Sequence, residues 1–265
     1  MTRALLARDR WGRGARFPEL ALRWEGFTVD TRGDPAAIVY PHLFGFRLAM
    51  AMLTQPSWPL PPWRTMQVRN RLILHRAAQP VLSGALTSSV GGWRVLDKGV
   101  EVDLHARLTD RDGCAWESIV TCYSRGRFGE GESRGAELGA PRVSPQVAAD
   151  AGTERRWITD GTRRWRYASW TGDYNGLHQW DWYARRLGFE GASAHPQRIA
   201  IQCLHHVGHP VGGAQQLDLW LKWPVRYGAA VVLRERAHAD GKAVDFSLMA
   251  EADSRPAMVG CWRAR

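Results

Sequence analysis

The sequence of 265 residues lacks the features that mark secreted and membrane-spanning proteins. Its only four cysteines, Cys114, Cys122, Cys203 and Cys261, form neither a CxxC pair nor the spacing of a disulfide framework. No apolar run approaches the roughly 20 residues that cross a membrane. The N-terminal segment MTRALLARDRWGR has too short an apolar centre for a secretory signal. We therefore expect a reduced, cytoplasmic protein without a membrane anchor.

Lysine is also nearly absent. Lys98, Lys222 and Lys242 are the only lysines among 36 basic residues, although the formal net charge is +10. Proteins of such charge often bind nucleic acid, but the arginines here are scattered, and no basic–aromatic repeat of the kind found in single-strand grooves occurs. We expect no nucleic-acid partner. A basic rim would instead attract phosphate-bearing carriers, such as coenzyme A, or an acidic carrier protein.

Tryptophan, in contrast, is abundant, with 14 residues. Most of these side chains are expected to pack in the interior. A group of five surrounds the segment from Thr171 to Leu204, and these side chains could line a pocket: Trp157, Trp165, Trp170, Trp180 and Trp182.

The two halves of the chain contain the same order of predicted elements. In each, a helix with proline near its start is followed by segments of strand-like alternation. The first helix has Pro41 near its start and continues to Leu53, and the second begins at Pro196 and ends near Gly208. The strand-like segments are 64–75, 81–96, 99–108 and 114–128 in the first half, and 215–227, 229–240, 242–253 and 256–264 in the second.

This repetition predicts an α+β fold of two units, each an antiparallel sheet wrapped around a central helix. We expect a first domain at 1–128, a linker rich in Gly, Ser and charge at 129–152, and a second domain at 153–265. The central helices are expected near Leu43–Leu53 and Ile199–Val207, with the pocket between the halves. Pairing of the sheets edge to edge would leave neither unit with an open edge.

Asp173 and His178 are the candidate catalytic residues. Five residues on one helix would leave them on different faces, so they converge only if the intervening GDYNG segment is a turn and His178 starts the next helix. An ordinary structural interpretation also exists: Asp173 and Asn175 form side-chain turns with the backbone, and His178 caps a helix.

The wider string favours the catalytic interpretation. It resembles the MaoC-like, (R)-specific enoyl hydratase family of hotdog proteins, whose signature is Ser/Thr-Gly-Asp-x-Asn-Pro-x-His, followed by Ala, Gly-Phe and an Ala-His-Gly that opens the central helix. The matching positions are Thr171, Gly172, Asp173, Asn175, His178, Ala184, Gly188, Phe189, Ala194 and His195. The first half resembles the degenerate N-terminal hotdog of double-hotdog members.

The resemblance implies reversible hydration of 2-enoyl thioesters or dehydration of 3-hydroxyacyl thioesters. Asp173 and His178 would supply the acid and the base, and Asn175 would orient them. Substrate contacts would come from Gly172, Asn175, His195, Pro196 and Gln197. The substrate would be carried on coenzyme A or acyl carrier protein, with no metal and no bound redox cofactor. Two hotdogs in one chain form a pseudo-dimer, so a monomer or a homodimer is expected.

Two positions depart from the family pattern. Gly176 replaces the proline of the motif, which loosens the turn but removes no catalytic group. Pro196 replaces the glycine whose N–H would meet the thioester oxygen, and proline has no N–H to donate. The next N–H groups, of Gln197 and Arg198, could substitute only if the thioester binds in a shifted position.

Two alternatives remain open. One is an altered hotdog enzyme of polyketide or secondary metabolism that isomerises or cyclises an acyl thioester, and the other is a non-catalytic thioester-binding subunit. Two further signals are weak. His205, His206 and His209 lack a carboxylate or cysteine in register, so we expect no metal site there. Arg69 and Arg71 share a strand face, where a solvated surface is expected more than a phosphate site.

Overall fold

Ten antiparallel strands form one continuous sheet in the computed structural model, which describes residues 17–31, 34–77, 80–128, 133–135, 138–147, 152–207, 213–251 and 255–265. The strands are β1 (Ala21–Asp30), β2 (Thr65–Leu74), β3 (Val81–Leu96), β4 (Gly99–Asp110), β5 (Gly113–Arg125), β6 (Glu154–Ile158), β7 (Gln215–Leu221), β8 (Ala230–Ala237), β9 (Ala243–Ala250) and β10 (Pro256–Ala264). Their order across the sheet is β1-β3-β4-β5-β2-β7-β10-β9-β8-β6.

The order of strands shows that the two halves share one topology. Read from its outer end, the first unit runs 1-3-4-5-2, and the second, read likewise, runs 6-8-9-10-7. The units join where β2 pairs with β7, from Arg69 opposite Trp220 to Leu74 opposite Gln215. This arrangement confirms the double-hotdog fold. The expected domain boundaries at 128 and 153 lie between β5 and β6.

Two details of the sheet differ from the sequence prediction. We did not predict β1 and β6, the outermost strands, and these remain at the two ends of the sheet. The expectation that neither unit keeps an open edge is therefore wrong. Only one edge of each unit is paired with the other unit, because a sheet that is extended rather than closed always keeps two ends.

Four helices accompany the sheet: α1 (Tyr40–Leu53), α2 (Arg164–Thr171), α3 (Asp181–Arg186) and α4 (Pro196–His206). Short 3-10 turns span Pro35–Val39, Pro62–Arg64 and Gly176–His178. Both predicted central helices are present: α1 has Pro41 as its second residue and ends at Leu53, and α4 begins at Pro196, as the prolines indicated. The expected stop at Gly208 lies outside the described residues; α4 ends at His206, with Val207 as its C-cap.

The segment Pro35–Leu53 is the one part of the described chain that is long and apolar enough to cross a membrane, by length and composition alone. Our sequence analysis found no such run. In the structure this segment packs against the sheet: Ile38, Val39 and Leu43 are buried in the main hydrophobic core together with strands of both units. Burial of this kind is typical of a core helix.

The sheet face opposite α1 is buried and charged in the first unit. Arg69 forms a bidentate pair with Glu101 at 2.8 and 2.7 Å, and Arg94 forms another with Asp103. Residues of the segment 138–147 cover this face, where Ala140 is buried. Neither expectation for Arg69 and Arg71 holds: Arg69 is buried, and Arg71 pairs with the buried Asp218 at 2.7 Å.

Candidate active site

The end of α2 brings the chain to the candidate site. Gly172 caps α2 in the left-handed region, with φ +79°, and its N–H donates to Ala168 O at 2.8 Å. A Cβ added at Gly172 would lie 3.0 Å from Nε of Arg47 on α1. Both the conformation and the space therefore favour glycine here. In the structure Gly172 turns the chain so that Asp173 points inward.

Asp173 uses its two oxygens for different contacts. Oδ1 accepts a hydrogen bond from the N–H of Asn175 at 3.0 Å, which is a side-chain turn. Oδ2 lies 2.9 Å from Nε2 of His195 and 3.9 Å from Nε2 of His178. The carboxylate is buried, with 6% of its side chain exposed. One oxygen thus forms the side-chain turn of the structural interpretation, and the other faces the two histidines.

His178 is positioned by a capped turn. The side chain of Asn175 accepts from the N–H of Leu177 at 3.0 Å and so caps the 3-10 turn Gly176–His178. Nδ1 of His178 lies 2.9 Å from the carbonyl oxygen of Ser193. Because a carbonyl oxygen only accepts, Nδ1 carries the proton and Nε2 keeps a lone pair directed toward Asp173. His178 thus caps no helix, contrary to the structural alternative.

Gly176 has a packing role. A Cβ at this position would lie 2.8 Å from a ring carbon of Tyr183, closer than real Cβ contacts. The tyrosine ring therefore occupies the space that the proline of the family signature would need. We expected the glycine to loosen the turn; instead, Tyr183 packs against it directly, and Gly176 is buried.

His195 is the N-cap of α4 and has one defined tautomer. Its Nδ1 accepts the backbone N–H of Gln197 at 3.2 Å, and the Tyr167 hydroxyl lies 3.2 Å from the same nitrogen. An Nδ1 that accepts an N–H cannot itself carry the proton. The proton is therefore on Nε2, which donates to Asp173. His195 holds Asp173 in place and, with Nε2 protonated, offers no lone pair there to a metal ion.

The local environment sets the protonation of the site. Burial, together with the nearby His195, lowers the pKa of His178 to about 4. Burial alone would raise the pKa of Asp173, but the hydrogen bond from His195 and the electrostatic interaction with both histidines bring it below its usual value. Burial raises the pKa of Tyr167 well above its usual value. At neutral pH the site therefore contains an ionised Asp173 beside a neutral His178.

The start of α4 has fewer free donors than the sequence suggested. Pro196 occupies the first turn and has no N–H. The N–H of Gln197, expected as a replacement donor, already bonds to His195, and its side-chain amide donates to Oε1 of Gln67 at 2.9 Å. Ile199 N–H donates to His195 O. Among the described hydrogen bonds, only the N–H of Arg198 in this turn is without a partner.

The first unit supplies the other wall of the site. Nη2 of Arg47 donates to the carbonyl oxygen of Trp170 at 3.2 Å, and the ring of Phe46 lies edge-on to His195, with centroids 6.0 Å apart. His42 is buried, and burial, together with the electrostatic influence of His195, lowers its pKa to about 3. Asp173, His178 and His195 therefore lie where α1 meets the second unit.

A small apolar cavity lies beneath α1, lined by Phe46, Gly45, Ala49, Leu104 and Val120 among others. Its lining residues all come from the first unit. This cavity therefore lies inside that unit, whereas we expected the pocket between the two halves. Because Phe46 both lines the cavity and touches His195, the cavity adjoins the candidate catalytic residues.

The tryptophan group does not line this cavity. The rings of Trp165 and Trp180 pack edge to face, with their centroids 5.5 Å apart. The ring centroids of Trp180 and Trp182 are 6.3 Å apart, and Trp182 is 62% exposed. Trp170 is also exposed and packs under the guanidinium of Arg166. Trp157 packs instead on His206. Four of the five tryptophans thus form an exposed aromatic rim around α2 and α3.

The histidines near the end of α4, which we considered for a metal site, contact ordinary partners. Nε2 of His205 lies 3.0 Å from Oδ1 of Asp34, and His206 stacks on Trp157 at 4.9 Å. His209 lies outside the described residues.

Sequence reasoning missed Tyr167, His42 and Ser193. Tyr167 stands four residues before Thr171, a spacing that places it one helical turn upstream, and this could have indicated a neighbour of the site. His42 and Ser193 carry no such signal, because their contacts depend on how the two units pack.

No protein-family model matches the sequence, and comparison with curated protein sequences finds no relative. Comparison with solved structures does find similar proteins. HtdX of Mycobacterium tuberculosis is 20% identical with a TM-score of 0.68, over 93% of this chain and 100% of that one. A MaoC-like dehydratase from Phytophthora capsici is 15% identical with a TM-score of 0.74, over 94% and 96%.

An acyl-ACP thioesterase from Bacteroides thetaiotaomicron is 9% identical with a TM-score of 0.57, over 92% of this chain and 96% of that one. The same fold therefore occurs in proteins with different chemistry. Identities at this level establish the architecture and leave the activity to be argued from the site. The chain has the double-hotdog fold of the MaoC-like dehydratases.

Proposed function

We propose that the protein reversibly hydrates 2-enoyl thioesters and dehydrates 3-hydroxyacyl thioesters. The observation that carries this proposal is the separation of 3.9 Å between Oδ2 of the buried Asp173 and Nε2 of the half-buried His178, at one wall of the junction between the units. Addition or removal of water requires groups that accept a proton and return it, and these two side chains lie close enough to act on the same water molecule.

A water molecule that bridges these two atoms would lie beside the line that joins them, at the apex of a triangle. At about 2.8 Å from each acceptor, the usual length of an O–H···O bond, it would donate one proton to Asp173 and the other to His178. Its remaining lone pairs would then face a substrate. His195 supports this arrangement because it already donates to Oδ2, which keeps the carboxylate fixed and ionised.

In hydration, the water oxygen forms the bond to Cβ as Nε2 of His178 accepts one proton of the water, and the protonated His178 then delivers that proton to Cα. One O–H bond and the π bond of the alkene break, while a C–O and a C–H bond form. We assign the acceptor role to His178 because its Nε2 has a free lone pair and a pKa of about 4 that keeps it unprotonated at neutral pH. Dehydration reverses these steps: the pair removes the Cα proton and protonates the departing hydroxyl.

The thioester oxygen gains negative charge during this reaction, and a donor at a helix start would stabilise it. Pro196 and the engaged N–H of Gln197 leave only Arg198 in the first turn. Arg198 lies one position further around the helix than Gln197, about 100°. We infer that plain straight-chain substrates are hydrated weakly and that a bulkier or unusual acyl group is preferred.

The carrier is proposed to be coenzyme A or acyl carrier protein, in a cytoplasmic setting. The exposed aromatic rim beside α2 and α3 supports this, because Trp and Arg side chains such as Trp170 and Arg166 are common in binding surfaces. The acyl chain would lie against Phe46, which also lines the small apolar cavity beneath α1. No metal or redox cofactor takes part in the proposed steps.

A second candidate function follows from the same helix start. Without a donor from Pro196 or Gln197, the acid–base pair could isomerise or cyclise an acyl thioester, or the protein could bind thioesters without turnover. The solved thioesterase of similar fold shows that the architecture accommodates other reactions on acyl groups.

The test is a steady-state assay with short, long and aromatic 2-enoyl thioesters on coenzyme A and on carrier protein. Formation of a 3-hydroxyacyl product from any of them, with its loss in His178→Gln, supports hydration. Tight binding of all of them without product would favour the binding subunit.

A further inference from the structure

A group of polar side chains lies on the sheet face opposite α1, away from Asp173. It comprises His75, directly after β2, His105 on β4, and Cys114 and Glu117 on β5; we call it the outer cluster. Glu117 is at its centre, with Oε1 3.2 Å from Nε2 of His75 and Oε2 3.2 Å from Nε2 of His105. The ligand atoms of His75, Cys114 and Glu117 all lie within 4.8 Å of one another.

The position of the outer cluster follows from the sheet. Side chains alternate between the faces of a strand, and the neighbours of Glu117, Trp116 and Ser118, are buried beneath α1. Strands β4, β5 and β2 are adjacent in the sheet. The N–H of His75 donates to Ala115 O at 3.0 Å and continues the ladder. The backbone ladder therefore positions His75, His105 and Glu117. Cys114 lies beside an irregularity in the β4–β5 register, and its place next to His75 and Glu117 is given by the distances above.

The chemistry of these groups suits a zinc-type cation. Imidazole, thiolate and carboxylate are the three ligand types that proteins use for Zn²⁺, at about 2.0–2.3 Å. In a tetrahedral site those bonds place neighbouring ligand atoms about 3.3–3.8 Å apart. The 3.2 Å between His75 and Glu117 already matches that spacing, so only a small adjustment is needed.

We propose that His75, Cys114 and Glu117 bind a divalent zinc-type cation, with water in the fourth position. His105 is a positioning residue, because it contacts the other carboxylate oxygen and so orients Glu117. Carboxylate and thiolate together neutralise the two charges of the ion.

The competing contacts in the outer cluster are weak. The thiol of Cys114 donates only to Trp116 O at 3.4 Å. Arg107 approaches Glu117 at 3.4 Å, but its side chain is 57% exposed and can move into solvent. Arg76 is paired with Asp110. If metal binding displaced any of these contacts, no buried polar group would be left without a partner.

Two other groups of similar composition differ in ways that make them useful comparisons. In the group of Asp173, His178 and His195, the last residue has its proton on the nitrogen that faces the carboxylate, so that nitrogen cannot be a ligand. In the group of His238, Asp245 and Cys261, His238 and Asp245 pair with each other at 3.0 Å, and Arg236 pairs with the same carboxylate.

No pattern in the sequence indicates this site. His75 follows the end of β2, whereas Cys114 and Glu117 lie near the start of β5. Because His75 and Glu117 are 42 positions apart, the sequence shows no spacing typical of a metal site. From the sequence we accordingly expected no metal.

The experiment uses the untagged full chain, treated with a chelator and titrated with Zn²⁺ by calorimetry and with Co²⁺ by absorption. We expect one ion per chain, a thiolate-to-cobalt charge-transfer band and a higher Tm with zinc. Cys114→Ser should remove the band, His75→Ala and Glu117→Gln should abolish tight binding, and His105→Ala should weaken it at least about tenfold. Circular dichroism without metal verifies that each variant folds.

Cys261→Ser and His205→Ala serve as matched controls and should bind as the wild type does. The proposal is overturned if the wild type binds no zinc at micromolar concentration, if Cys114→Ser binds equally well, or if binding is lost in Cys261→Ser or His178→Gln instead. Because enoyl-thioester turnover is measured separately, failure of this proposal leaves the proposed function unaffected.

Discussion

The backbone N–H of Gln197 donates to Nδ1 of His195 at 3.2 Å. This one contact has two consequences. It fixes the proton of His195 on Nε2, from which it donates to Asp173, and it removes Gln197 from the donors available to a substrate oxygen. The cap of α4 and the orientation of the carboxylate are thus parts of the same arrangement.

Asp173→Asn should cost stability as well as activity. The carboxylate accepts from Asn175 through one oxygen and from His195 through the other, whereas an amide has only one oxygen. Since His195 cannot shift its proton to Nδ1, one buried donor is left without an acceptor, at about 1–3 kcal/mol. Chemical denaturation would measure this loss. An unchanged free energy of unfolding would mean that His195 is not locked in this tautomer.

Stability should fall on mild acidification. The pKa values of His178 and His42 are lowered to about 4 and about 3 from 6.5. Below pH 6.5 the unfolded chain takes up these protons and the folded chain does not, so the free energy of unfolding decreases from pH 6.5 toward pH 4. The slope is at most about 1.4 kcal/mol per pH unit for each histidine.

Denaturation curves at several pH values test this slope, and His178→Gln provides the control because it should reduce the slope by about half. A free energy that is flat between pH 6.5 and 4.5 in the wild type would show that these histidines are protonated in the folded state.

The sequence predicted much of the fold because its information is local. Alternation in segments such as 99–108 and the proline-opened helices could be identified without tertiary knowledge. β6 was missed because it has only five residues, Glu154–Ile158, four of them exposed and three of these charged, so it shows no apolar face. Its position depends on pairing with β8.

The candidate site was predictable only in part, for a related reason. Asp173 and His178 leave one short segment, so their convergence could be inferred from a turn. The contact of His195 with Asp173 spans 22 positions, and that of Gln197 with Gln67 spans 130. The first contact depends on packing within the second unit and the other on packing between the units. The engaged N–H of Gln197 is a local N-cap contact, but histidine is not among the usual N-cap residues, so the capping rules did not indicate it.

Pro196→Gly should raise the activity on a short straight-chain 2-enoyl thioester. Glycine restores a backbone N–H at the start of α4, and one such donor is worth about 3 kcal/mol in known enzymes, up to roughly 10²-fold in kcat. The measurement compares kcat of the wild type and the variant in the same assay, and an equal Tm verifies that the substitution leaves the fold intact. Strong wild-type activity that glycine leaves unchanged would show that position 196 does not face the thioester oxygen.

Gly176→Ala should destabilise the fold by about 1–3 kcal/mol, because the new Cβ meets the Tyr183 ring at 2.8 Å. The matched variant Gly176→Ala/Tyr183→Leu should recover most of that loss, since the smaller side chain frees the space. Thermal denaturation of the single and double variants measures this coupling. Additive losses would indicate that the two positions do not interact.

The most direct test of the proposed chemistry is the hydration rate of a panel of 2-enoyl thioesters by the wild type and by His178→Gln. Glutamine retains a donor for Ser193 O but has no basic nitrogen. We predict that at least one bulky or aromatic enoyl thioester is hydrated by the wild type, and that His178→Gln reduces kcat by about 10²- to 10⁴-fold with an unchanged fold. Equal rates in the two proteins, or no hydration of any member by the wild type, would contradict it.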